Sequence, residues 1–394
     1  MAIVLTLNAG SSSVKFSVYT QIPAGLEPLA AGQVEGLGAK AHFAVKTAAG
    51  ERHEHFFEDH SGSADHSVAI RAILDWLQSR YSEQPVVAVG HRVVHGGVEF
   101  VQPVALDDNV MTQLERLVPL APLHQPHNLA GVRAALAALP DALQVACFDT
   151  AFHRTHSYVA DTFALPRSYY DQGIRRYGFH GLSYEFIVRQ LRQQEPELAK
   201  GRVIVAHLGN GASMCAILDG KSVASTMGFT ALDGMPMGTR CGQIDPGVLL
   251  YLLTHYGMSA DQITDLLYKN SGLKGLSGLS QDVRELEAAN TQAARDALAY
   301  FTDRGRREIG GLAASIGGLD ALVLTGGIGE HGANVREGLL HDMGWLGIEL
   351  DTEANRAGQG VISRPGSPVK VLVMATDEER MLAEHAARVA GILH

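Results

Sequence analysis

The sequence predicts an α/β fold built from two related halves. Strand-like and helix-like patterns alternate through both halves of the 394-residue chain, which is typical of α/β proteins. A strand, a polar glycine turn and a second strand occur near the N-terminus and again 201 residues later, counted from Leu7 to Leu208. Many of the 43 glycines lie at the ends of short apolar segments, where backbone can approach a ligand closely. The length is sufficient for two or three domains.

Six short segments of the first half predict strands, and three longer ones predict helices. Short apolar or alternating segments favour strands, whereas apolar residues three or four positions apart favour helices. The helix expected at residues 67–81 carries Ile70, Ile73, Leu74 and Leu77 on one side. The strands are expected at residues 3–8, 14–19, 29–34, 42–46, 86–90 and 144–148, and the other helices at residues 109–117 and 127–139.

The second half repeats the opening hairpin and then alternates helices with strands. When the two hairpins are aligned from Leu7 and Leu208, three of six positions are identical, which indicates a duplicated domain. Strands are expected at residues 202–208, 213–218, 321–324 and 369–374. Helices are expected at residues 246–255 and 260–267, in one long alanine-rich segment at residues 285–316, after Glu330, and at residues 378–392.

Composition excludes several classes of function. The chain has 32 Lys and Arg against 42 Asp and Glu, a net charge of -10, which argues against nucleic acid as the main partner. The longest segments without charged side chains, residues 117–132 and 203–218, are too short to span a bilayer. Cys147, Cys215 and Cys241 are far apart and form neither a disulfide framework nor a CxxC pair. With no basic leader visible, a reducing cytoplasm is the expected location.

A histidine-rich segment offers a metal-binding alternative. His53 and His55 share one face of a possible strand, and His60 and His66 follow. Zinc sites need a compact set of four ligands, and no such set follows in the sequence. An edge strand in contact with solvent is the favoured interpretation.

Three glycine-containing turns that follow apolar strands predict a phosphate-binding protein. They lie at residues 8–13, 209–212 and 326–330, where backbone N–H groups can bind phosphate oxygens. None matches the Walker pattern or the dinucleotide fingerprint. Lys15 lies one strand period beyond Ser13 and can point towards the same side as the first turn.

Cationic and acidic residues occur at the ends of predicted elements. Arg92 follows one buried strand, and Arg240 lies in a glycine-flanked loop where its guanidinium has the clearance to bind phosphate or carboxylate. Asp149 ends another strand, and Glu378 and Glu379 follow the last one. Ligands of open α/β sheets bind at such strand ends, although two acids at a helix start also fit simple pairing with the helix dipole.

The chain resembles the acetate kinase, or acetokinase, family of the acetate and sugar kinase, actin and heat-shock chaperone superfamily. The matching segments are in order and extend over essentially the whole chain. They are Leu7-Asn8-Ala9-Gly10-Ser11-Ser12-Ser13-Val14-Lys15-Phe16, His91-Arg92-Val93-Val94-His95-Gly96-Gly97, Phe148-Asp149-Thr150-Ala151-Phe152-His153, Tyr177-Gly178-Phe179-His180-Gly181, His207-Leu208-Gly209-Asn210-Gly211, Met227-Gly228-Phe229-Thr230, Met237-Gly238-Thr239-Arg240, Asp245-Pro246-Gly247 and Thr325-Gly326-Gly327-Ile328-Gly329-Glu330.

The resemblance implies two duplicated actin-like, ribonuclease H-like ATPase domains with the active site in the cleft between them. The N-terminal domain would comprise residues 1–149 and 379–394, and the C-terminal domain, with most of the nucleotide site, residues 150–378. The implied reaction is the reversible, Mg²⁺-dependent transfer of the ATP γ-phosphoryl group to acetate, which gives acetyl phosphate and ADP. Mn²⁺ could replace Mg²⁺, and the family suggests a homodimer.

The resemblance also assigns roles to individual residues. The catalytic set would be Asp149, His180 and Arg240. Arg92, Val94, Leu123 and Phe179 would bind the substrate, the last three around its methyl group. Asn8 and Glu378 would hold Mg²⁺ directly or through water. The ATP site would comprise Lys15, His207, Leu208, Gly209, Asn210, Gly211, Asp282, Val283, Arg284, Gly326, Gly327, Ile328, Gly329 and Glu330.

Acetate is already ionised at neutral pH, because the pKa of a simple carboxylic acid is about 4. Asp149 is therefore expected to orient an arginine or a metal-bound water rather than to remove a proton. The obstacle to reaction is repulsion between two anions, which arginines, a histidine and Mg²⁺ reduce.

Several positions differ from the family pattern, and they bear on the length of the substrate. Ala231 replaces a common proline beside the methyl pocket, which leaves propionate as an alternative substrate. A nucleotide switch without transferase activity is the alternative of a different class, since the same fold serves actin and chaperones. The other departures are Gln125, Leu182, Tyr184 and Cys241.

Overall fold

A computed structural model of the chain describes residues 2–38, 40–57 and 64–393 and divides into two compact units. The first unit comprises Met1–Ala151 and Asp377–His394, and the second comprises Phe152–Thr376. These limits lie two residues from the expected domain boundaries, so that Glu378 belongs to the first unit rather than to the second. The reason is that Glu378 begins the last helix, which packs against strands of the first unit. The assignment of functional domains itself stays a prediction.

The first unit is an eight-stranded sheet with helices packed against it. The strand order is β5-β4-β3-β2-β1-β6-β8-β7. The strands are β1 Ile3–Ala9, β2 Ser13–Ile22, β3 Gly25–Glu35, β4 His42–Thr47, β5 Arg52–Phe56, β6 Val86–Val93, β7 Val104–Ala105 and β8 Leu143–Phe148. The helices are α1 His66–Tyr81, α2 Asp108–Arg116, α3 Gln125–Ala138 and, from the C-terminal segment, α16 Glu378–Val389.

The second unit contains a six-stranded sheet in the order β11-β10-β9-β12-β14-β13. Its strands are β9 Arg202–Leu208, β10 Ala212–Leu218, β11 Lys221–Ser225, β12 Ala321–Thr325, β13 Gly360–Val361 and β14 Lys370–Val373. Its helices are α4 Tyr158–Asp161, α5 Arg167–Asp171, α6 Gly181–Gln194, α7 Pro196–Ala199, α8 Pro246–Thr254, α9 Ala260–Lys269, α10 Gly272–Ser277, α11 Val283–Ala289, α12 Gln292–Ser315, α13 Gly326–His331, α14 Ala333–Leu340 and α15 Thr352–Ala357.

The two sheets share one topology, which confirms the duplication expected from the sequence. In the first unit, the strands β3-β2-β1-β6-β8-β7 are neighbours in that order. The first two pairs are antiparallel, the next two are parallel and the last is antiparallel. In the second unit the run β11-β10-β9-β12-β14-β13 has the same pairings in the same order. Both repeated turns therefore lie at the ends of equivalent strands, β1 and β9.

The first core forms where the apolar pattern of the sequence predicts it. Ile70, Ile73 and Leu77 of α1 are buried against β1 and β2, and Leu74 packs at the edge of the same core. The side chain of Asp65 accepts hydrogen bonds from the N–H groups of Ser67 and Val68, and so determines where α1 begins.

Two expected elements of the second unit are wrong in detail. The single helix expected at residues 285–316 is two helices, α11 and α12, because Asn290 adopts the left-handed conformation with φ 48° and Thr291 caps the next helix. The segment at residues 326–330, expected as a turn, is itself helical and forms α13. Gly326 enters that helix with φ 76°, and a Cβ there would lie 2.8 Å from the carbonyl oxygen of Leu208.

The histidine-rich segment forms the exposed edge strand β5, as the favoured interpretation predicts. His60 lies outside the described residues. Among residues 2–38, 40–57 and 64–393, no three His, Cys, Asp or Glu side chains are grouped in a way that could hold a metal ion. Within the same ranges, none of the helices has the length and apolar character needed to cross a membrane.

Candidate active site

The turn between β1 and β2 presents free amide groups at one end of the first sheet. Asn8, near the end of β1, pairs in register with Lys15 of β2. The N–H group of Gly10 donates to the carbonyl oxygen of Ser13 at 2.8 Å and closes the turn. The N–H groups of Ser11 and Ser12 donate to no acceptor among the described residues, so the turn can offer them to an anion.

Arg92 is held between two carboxylates in the first unit. It lies near the end of β6, and Asp149 follows β8, the parallel neighbour of β6. Nε and Nη2 of Arg92 donate to the two carboxylate oxygens of Asp149 at 2.9 and 2.7 Å. Nη1 of Arg92 lies 2.9 Å from a carboxylate oxygen of Glu378 at the start of α16. The sequence-predicted residues Arg92, Asp149 and Glu378 therefore form one cluster.

Negative charge exceeds positive charge in this cluster. Burial by itself lowers the pKa of Arg92, but Asp149 and Glu378 more than offset this effect and raise the pKa above its ordinary value. Burial, opposed by Arg92 and reinforced by Asp149, raises the pKa of Glu378. Burial and the charge of Glu378 raise the pKa of Glu379. A further cation would stabilise the ionised form of these carboxyl groups.

The donor set of the cluster fits Mg²⁺. This ion prefers oxygen ligands and keeps several waters, so that one or two protein carboxylates and the substrate phosphates suffice. Glu378 supplies a carboxylate oxygen whose pKa is raised mainly by burial and further by Asp149, and Asn8 supplies an amide oxygen near the end of β1 in the same unit.

His180 begins α6 in a strained conformation. Its backbone is in the left-handed conformation, with φ 57°, which residues other than glycine adopt at a cost in energy. Nδ1 of His180 lies 2.8 Å from Oγ of Ser213, and the hydroxyl of Tyr184 is hydrogen-bonded to the same oxygen. The imidazole ring stacks on that of His207 with centroids 4.3 Å apart. These contacts fix the orientation of the ring.

Arg240 is a partly buried guanidinium whose hydrogen-bond partners are neutral. Its Nη1 donates to the carbonyl oxygen of Ala231 at 3.0 Å and contacts Sδ of Met237 at 3.6 Å. Burial lowers its pKa, and it makes no ion pair with a carboxylate in the described part of the chain. A Cβ built on Gly211 would lie 3.4 Å from Nε2 of His180 and 3.9 Å from Nη1 of Arg240. Both side chains thus flank Gly211, and an anion there would supply the counter-charge that Arg240 lacks.

The second unit also contains a cavity of about 660 Å³. Seven residues predicted for the ATP site line it: Gly209, Asn210, Asp282, Val283, Arg284, Gly327 and Ile328. Sequence reasoning missed four other lining residues, namely Gln281, Glu287, His331 and Gly332. These four residues lie close in sequence to the predicted segments, which could have indicated that they line the cavity, but no motif includes them.

The remaining residues of the predicted nucleotide site surround the same strand ends. Thr325, which precedes α13, pairs in register with His207 of β9, and the backbone of Leu208 lies beside Gly326 at the helix start. The N–H group of Gly326 donates to a carboxylate oxygen of Glu330 at 3.0 Å. The buried Arg336 donates to the carbonyl oxygens of Gly329 and Glu330 at 2.9 and 2.8 Å and so stabilises α13.

The predicted site residues are divided between the two units. The first unit contains Asn8, Lys15, Arg92, Val94, Leu123, Asp149 and Glu378. The second contains Phe179, His180, Arg240 and all predicted ATP-site residues except Lys15. Within the first unit, Val94 and Leu123 are half-buried, and within the second, Phe179 is buried. The assignment of these three residues to a methyl pocket stays a prediction.

A duplicated α/β fold with arginines and carboxylates at strand ends defines a class, the two-domain phosphotransferases. Comparison with known proteins then identifies the family. The model of the acetokinase family matches residues 3–384. The acetate kinase of Methylocella silvestris is 58% identical, with 97% of this chain and 96% of the relative aligned. The acetate kinase of Nitrobacter hamburgensis is 50% identical, with 97% of this chain and 95% of the relative aligned. The chain belongs to the acetokinase family.

Solved structures agree with this result. The crystal structure of Porphyromonas gingivalis acetate kinase matches with a TM-score of 0.89 and 39% identity, over 99% of this chain and 100% of that one. A propionate kinase from Francisella tularensis matches with a TM-score of 0.91 and 35% identity, also over 99% and 100%. The predicted resemblance, the fold class and the predicted activity of a kinase with a carboxylate acceptor are confirmed. The alternative of a switch without transferase activity is not supported.

Proposed function

We propose that this chain transfers the γ-phosphoryl group of Mg²⁺-bound ATP to acetate, reversibly, in the cytoplasm. A carboxylate oxygen of acetate attacks the γ-phosphorus, the bond from that phosphorus to the bridging oxygen of ADP breaks, and ADP leaves with the electron pair. No proton has to move, because acetate is ionised at neutral pH. The products are acetyl phosphate and ADP.

The observation that carries the proposal is the environment of Arg240. A partly buried guanidinium that has no carboxylate partner among the described residues, beside His180 and Gly211, is suited to an anion that arrives from outside the protein. Phosphoryl transfer spreads charge over the equatorial oxygens of the moving group, and positioned cations stabilise that charge. Arg240 and His180 would therefore act on the phosphoryl group in the transition state.

In the first unit, Arg92 would bind the carboxylate of acetate. Asp149 occupies Nε and Nη2 of Arg92 and would act as the residue that orients this guanidinium. It would not serve as a base, because the acetate nucleophile carries no proton that must be removed.

Asn8 and Glu378 would hold Mg²⁺, which supplies neutralisation of the β- and γ-phosphate charges when it is bound. Chelation should abolish activity, and Mg²⁺ or Mn²⁺ should restore it. Glu378→Ala should raise the metal concentration that gives half-maximal activity. An unchanged concentration would remove Glu378 from the site.

Acetate is proposed over propionate because the relatives from Methylocella silvestris and Nitrobacter hamburgensis are named acetate kinases. Ala231 favours some use of propionate, since the backbone carbonyl of this small residue contacts Arg240. An extra methylene in an apolar pocket discriminates by about 1–3 kcal/mol. We therefore expect propionate within about tenfold of acetate in kcat/KM, and butyrate to be much poorer.

The direct test is an ATP-dependent hydroxamate assay with acetate, propionate and butyrate. No acyl phosphate from any of the three acids would overturn the proposed function. Ala231→Pro should depress the use of propionate selectively. The N–H group of Ala231 donates to no acceptor in the described part of the chain, so proline costs no hydrogen bond there. An equal change for acetate and propionate would refute the argument from Ala231 and leave the kinase assignment intact.

We also propose a homodimer, as the family resemblance implies. Helix α8 is almost entirely apolar, and none of its residues is buried within the chain. A second copy of the same chain is the proposed occupant of this surface.

A further inference from the structure

Two amide side chains on α3 bind the backbone on both sides of the arginine–carboxylate cluster. Gln125 and Asn128 are three residues apart on this helix, so that they lie on the same face. Both are buried, at 0% and 5% exposure. Buried amides in a protein interior are normally satisfied by specific partners, and the partners here are backbone groups of two segments of the site.

Asn128 joins the β1–β2 turn to the segment after β6. Its Nδ2 donates to the carbonyl oxygen of Ala9 at 2.7 Å, directly after the proposed metal ligand Asn8. Its Oδ1 accepts from the N–H group of Val94 at 3.0 Å, two residues after Arg92. One carboxamide thus uses its donor and its acceptor on two different segments.

Gln125 binds the next residue of the second segment. Its Oε1 accepts from the N–H group of His95 at 3.2 Å, and its Nε2 donates to the carbonyl oxygen of the same residue at 3.0 Å. Val94 and His95 follow the last residue of β6, so they lie beyond the regular strand. The two amides replace the hydrogen bonds that a neighbouring strand would supply there.

The first segment is held in a comparable way. Nε2 of His66 lies 2.9 Å from the carbonyl oxygen of Gly10, so that the carbonyl groups of both residues after Asn8 are bonded by side chains. Helix α3 also approaches this turn closely, since a Cβ on Gly131 would lie 2.5 Å from Cβ of Ala9. The N–H groups of Ser11 and Ser12, which have no acceptor among the described residues, can then be offered to an external acceptor by a turn whose carbonyl groups are held in place.

We propose that Asn128, supported by Gln125, is a positioning residue that sets the β1–β2 turn and Arg92 at a fixed separation for phosphoryl transfer. This inference depends on the proposed function, because it assigns the turn to Mg²⁺-bound ATP and Arg92 to the acid. Asn128 touches neither substrate and acts through Ala9 and Val94. A misplacement of about 1 Å at a reacting centre can cost about a hundredfold in rate.

The test compares three substitutions of buried amides by leucine in the full-length protein. Asn128→Leu removes both tethers and should lower kcat by about 10- to 100-fold while it raises KM for both MgATP and acetate. Gln125→Leu leaves the Ala9 tether intact and should raise KM for acetate with KM for MgATP unchanged. Gln144→Leu is the matched control. Its Nε2 donates to the backbone carbonyl groups of Leu139 and Ala142, and its Oε1 accepts from the buried His91 of β6. None of these partners belongs to the β1–β2 turn or to the segment after β6, so its loss should lower Tm without changing either KM.

If Asn128→Leu has the same kcat and KM values as Gln144→Leu, the proposal is overturned, whatever the Tm values of the two variants. If Asn128→Leu does not fold, Asn128→Asp is measured in its place, because it keeps the acceptor for Val94 and removes the amide donor to Ala9. A raised KM for MgATP with an unchanged KM for acetate then supports the proposal, and two unchanged KM values overturn it. A wild-type protein that forms no acyl phosphate refutes the proposed function instead, so that the two failures are distinguishable.

Discussion

Arg240 is hydrogen-bonded to neutral groups in the second unit, whereas Arg92 is bound by two carboxylates in the first. A buried cation with a carboxylate partner contributes mainly to the structure around it, because removal of the cation leaves the carboxylate uncompensated. A partly buried cation such as Arg240, which has no carboxylate partner among the described residues, can instead interact with an anionic ligand. The two arginines should therefore respond differently to substitution.

Arg240→Ala should reduce kcat about 10²- to 10³-fold, which is the usual effect of losing one positioned electrostatic group. The dissociation constant of MgATP should change little, because Arg240 acts mainly on charge that moves in the transition state. Steady-state kinetics and equilibrium binding of a nucleotide measure the two effects. Arg240→Lys keeps the charge and loses the planar fork, so its kcat should lie between those of Arg240→Ala and the wild type. An alanine variant with more than about half of the wild-type kcat would contradict the assigned role.

Arg92→Leu should unfold at a lower temperature than the wild type, because Asp149 and Glu378 are then buried without their cation. Breaking a buried pair typically costs about 3–5 kcal/mol. Glu378→Gln in the same chain as Arg92→Leu should recover part of that loss, since it removes one of the two carboxylates. Calorimetry provides the measurement.

The matched control for Arg92 is Arg133→Leu, which breaks an exposed pair with Glu115 and should cost less than about 1 kcal/mol. Equal losses of stability for Arg92→Leu and Arg133→Leu would show that the cluster around Arg92 is effectively solvated. A double variant no more stable than Arg92→Leu would show that Glu378 carries no uncompensated charge.

At the scale of elements, the pairing of β6 with β8 encloses a histidine. His91 on β6 is buried, and its Nε2 lies 2.7 Å from the side-chain oxygen of Gln144 on β8. That oxygen accepts, so Nε2 carries the proton of a neutral ring. Burial lowers the pKa of His91 to about 4, although the hydrogen bond to Gln144 opposes this effect. The packing of the two strands thus favours a neutral imidazole.

This lowered pKa makes the first unit less stable in acid. Between about pH 4 and 6.5 the unfolded chain binds a proton at His91 that the folded chain does not, so stability rises with pH by up to about 1.4 kcal/mol per pH unit. The contribution is complete above pH 6.5 and is lost as the pH falls towards 4. When the pH is lowered from 6.5 to 4.5, the Tm of His91→Gln should therefore fall by less than the Tm of the wild type. His55→Gln, on the exposed strand β5, should behave as the wild type does. The same acid response in His91→Gln would contradict the buried neutral state.

Much of the pattern of elements could be predicted because it depends on local sequence. The strand Arg202–Leu208 has the predicted limits, since an apolar segment before a glycine turn is a local signal. The break between α11 and α12 has only a weak local signal. Asparagine, as at position 290, is common where a helix ends, and threonine, as at position 291, where one begins, but neither residue excludes a continuous helix.

The sequence predicted which residues belong to the candidate site better than it predicted which residues contact one another there. Motifs indicated the residues Arg92, Asp149, His180 and Arg240. They did not indicate that Ser213 of β10 contacts both His180 and Tyr184. Such contacts require two distant segments to meet, and a single sequence contains no signal for them. The tethers from Asn128 to Ala9 and Val94 were missed for the same reason.

At the scale of the whole molecule, helix α8 presents an exposed apolar surface within the described part of the chain. The side chains of Val248, Leu250, Tyr251 and Leu253 on α8 are between 41% and 62% exposed. Contiguous exposed apolar groups of this kind usually mark a protein interface. Most oligomers of soluble proteins are symmetric, and in a two-fold dimer the same surface of each copy meets its equivalent. Helix α8 is therefore the expected contact between two copies.

The wild-type protein should accordingly sediment with about twice the chain mass of 42.1 kDa. Leu250→Glu places a charge at the centre of the proposed contact, where burial without a counter-charge is costly, and should give a monomer that retains the secondary structure of the wild type by circular dichroism. Phe56→Glu is the matched control, because Phe56 is 70% exposed on β5 of the first unit and its substitution should leave the dimer intact. A wild-type monomer at micromolar concentration would refute the homodimer. A dimer that survives Leu250→Glu would place the interface on another surface, and one that dissociates on Phe56→Glu would move it to the edge strand of the first sheet.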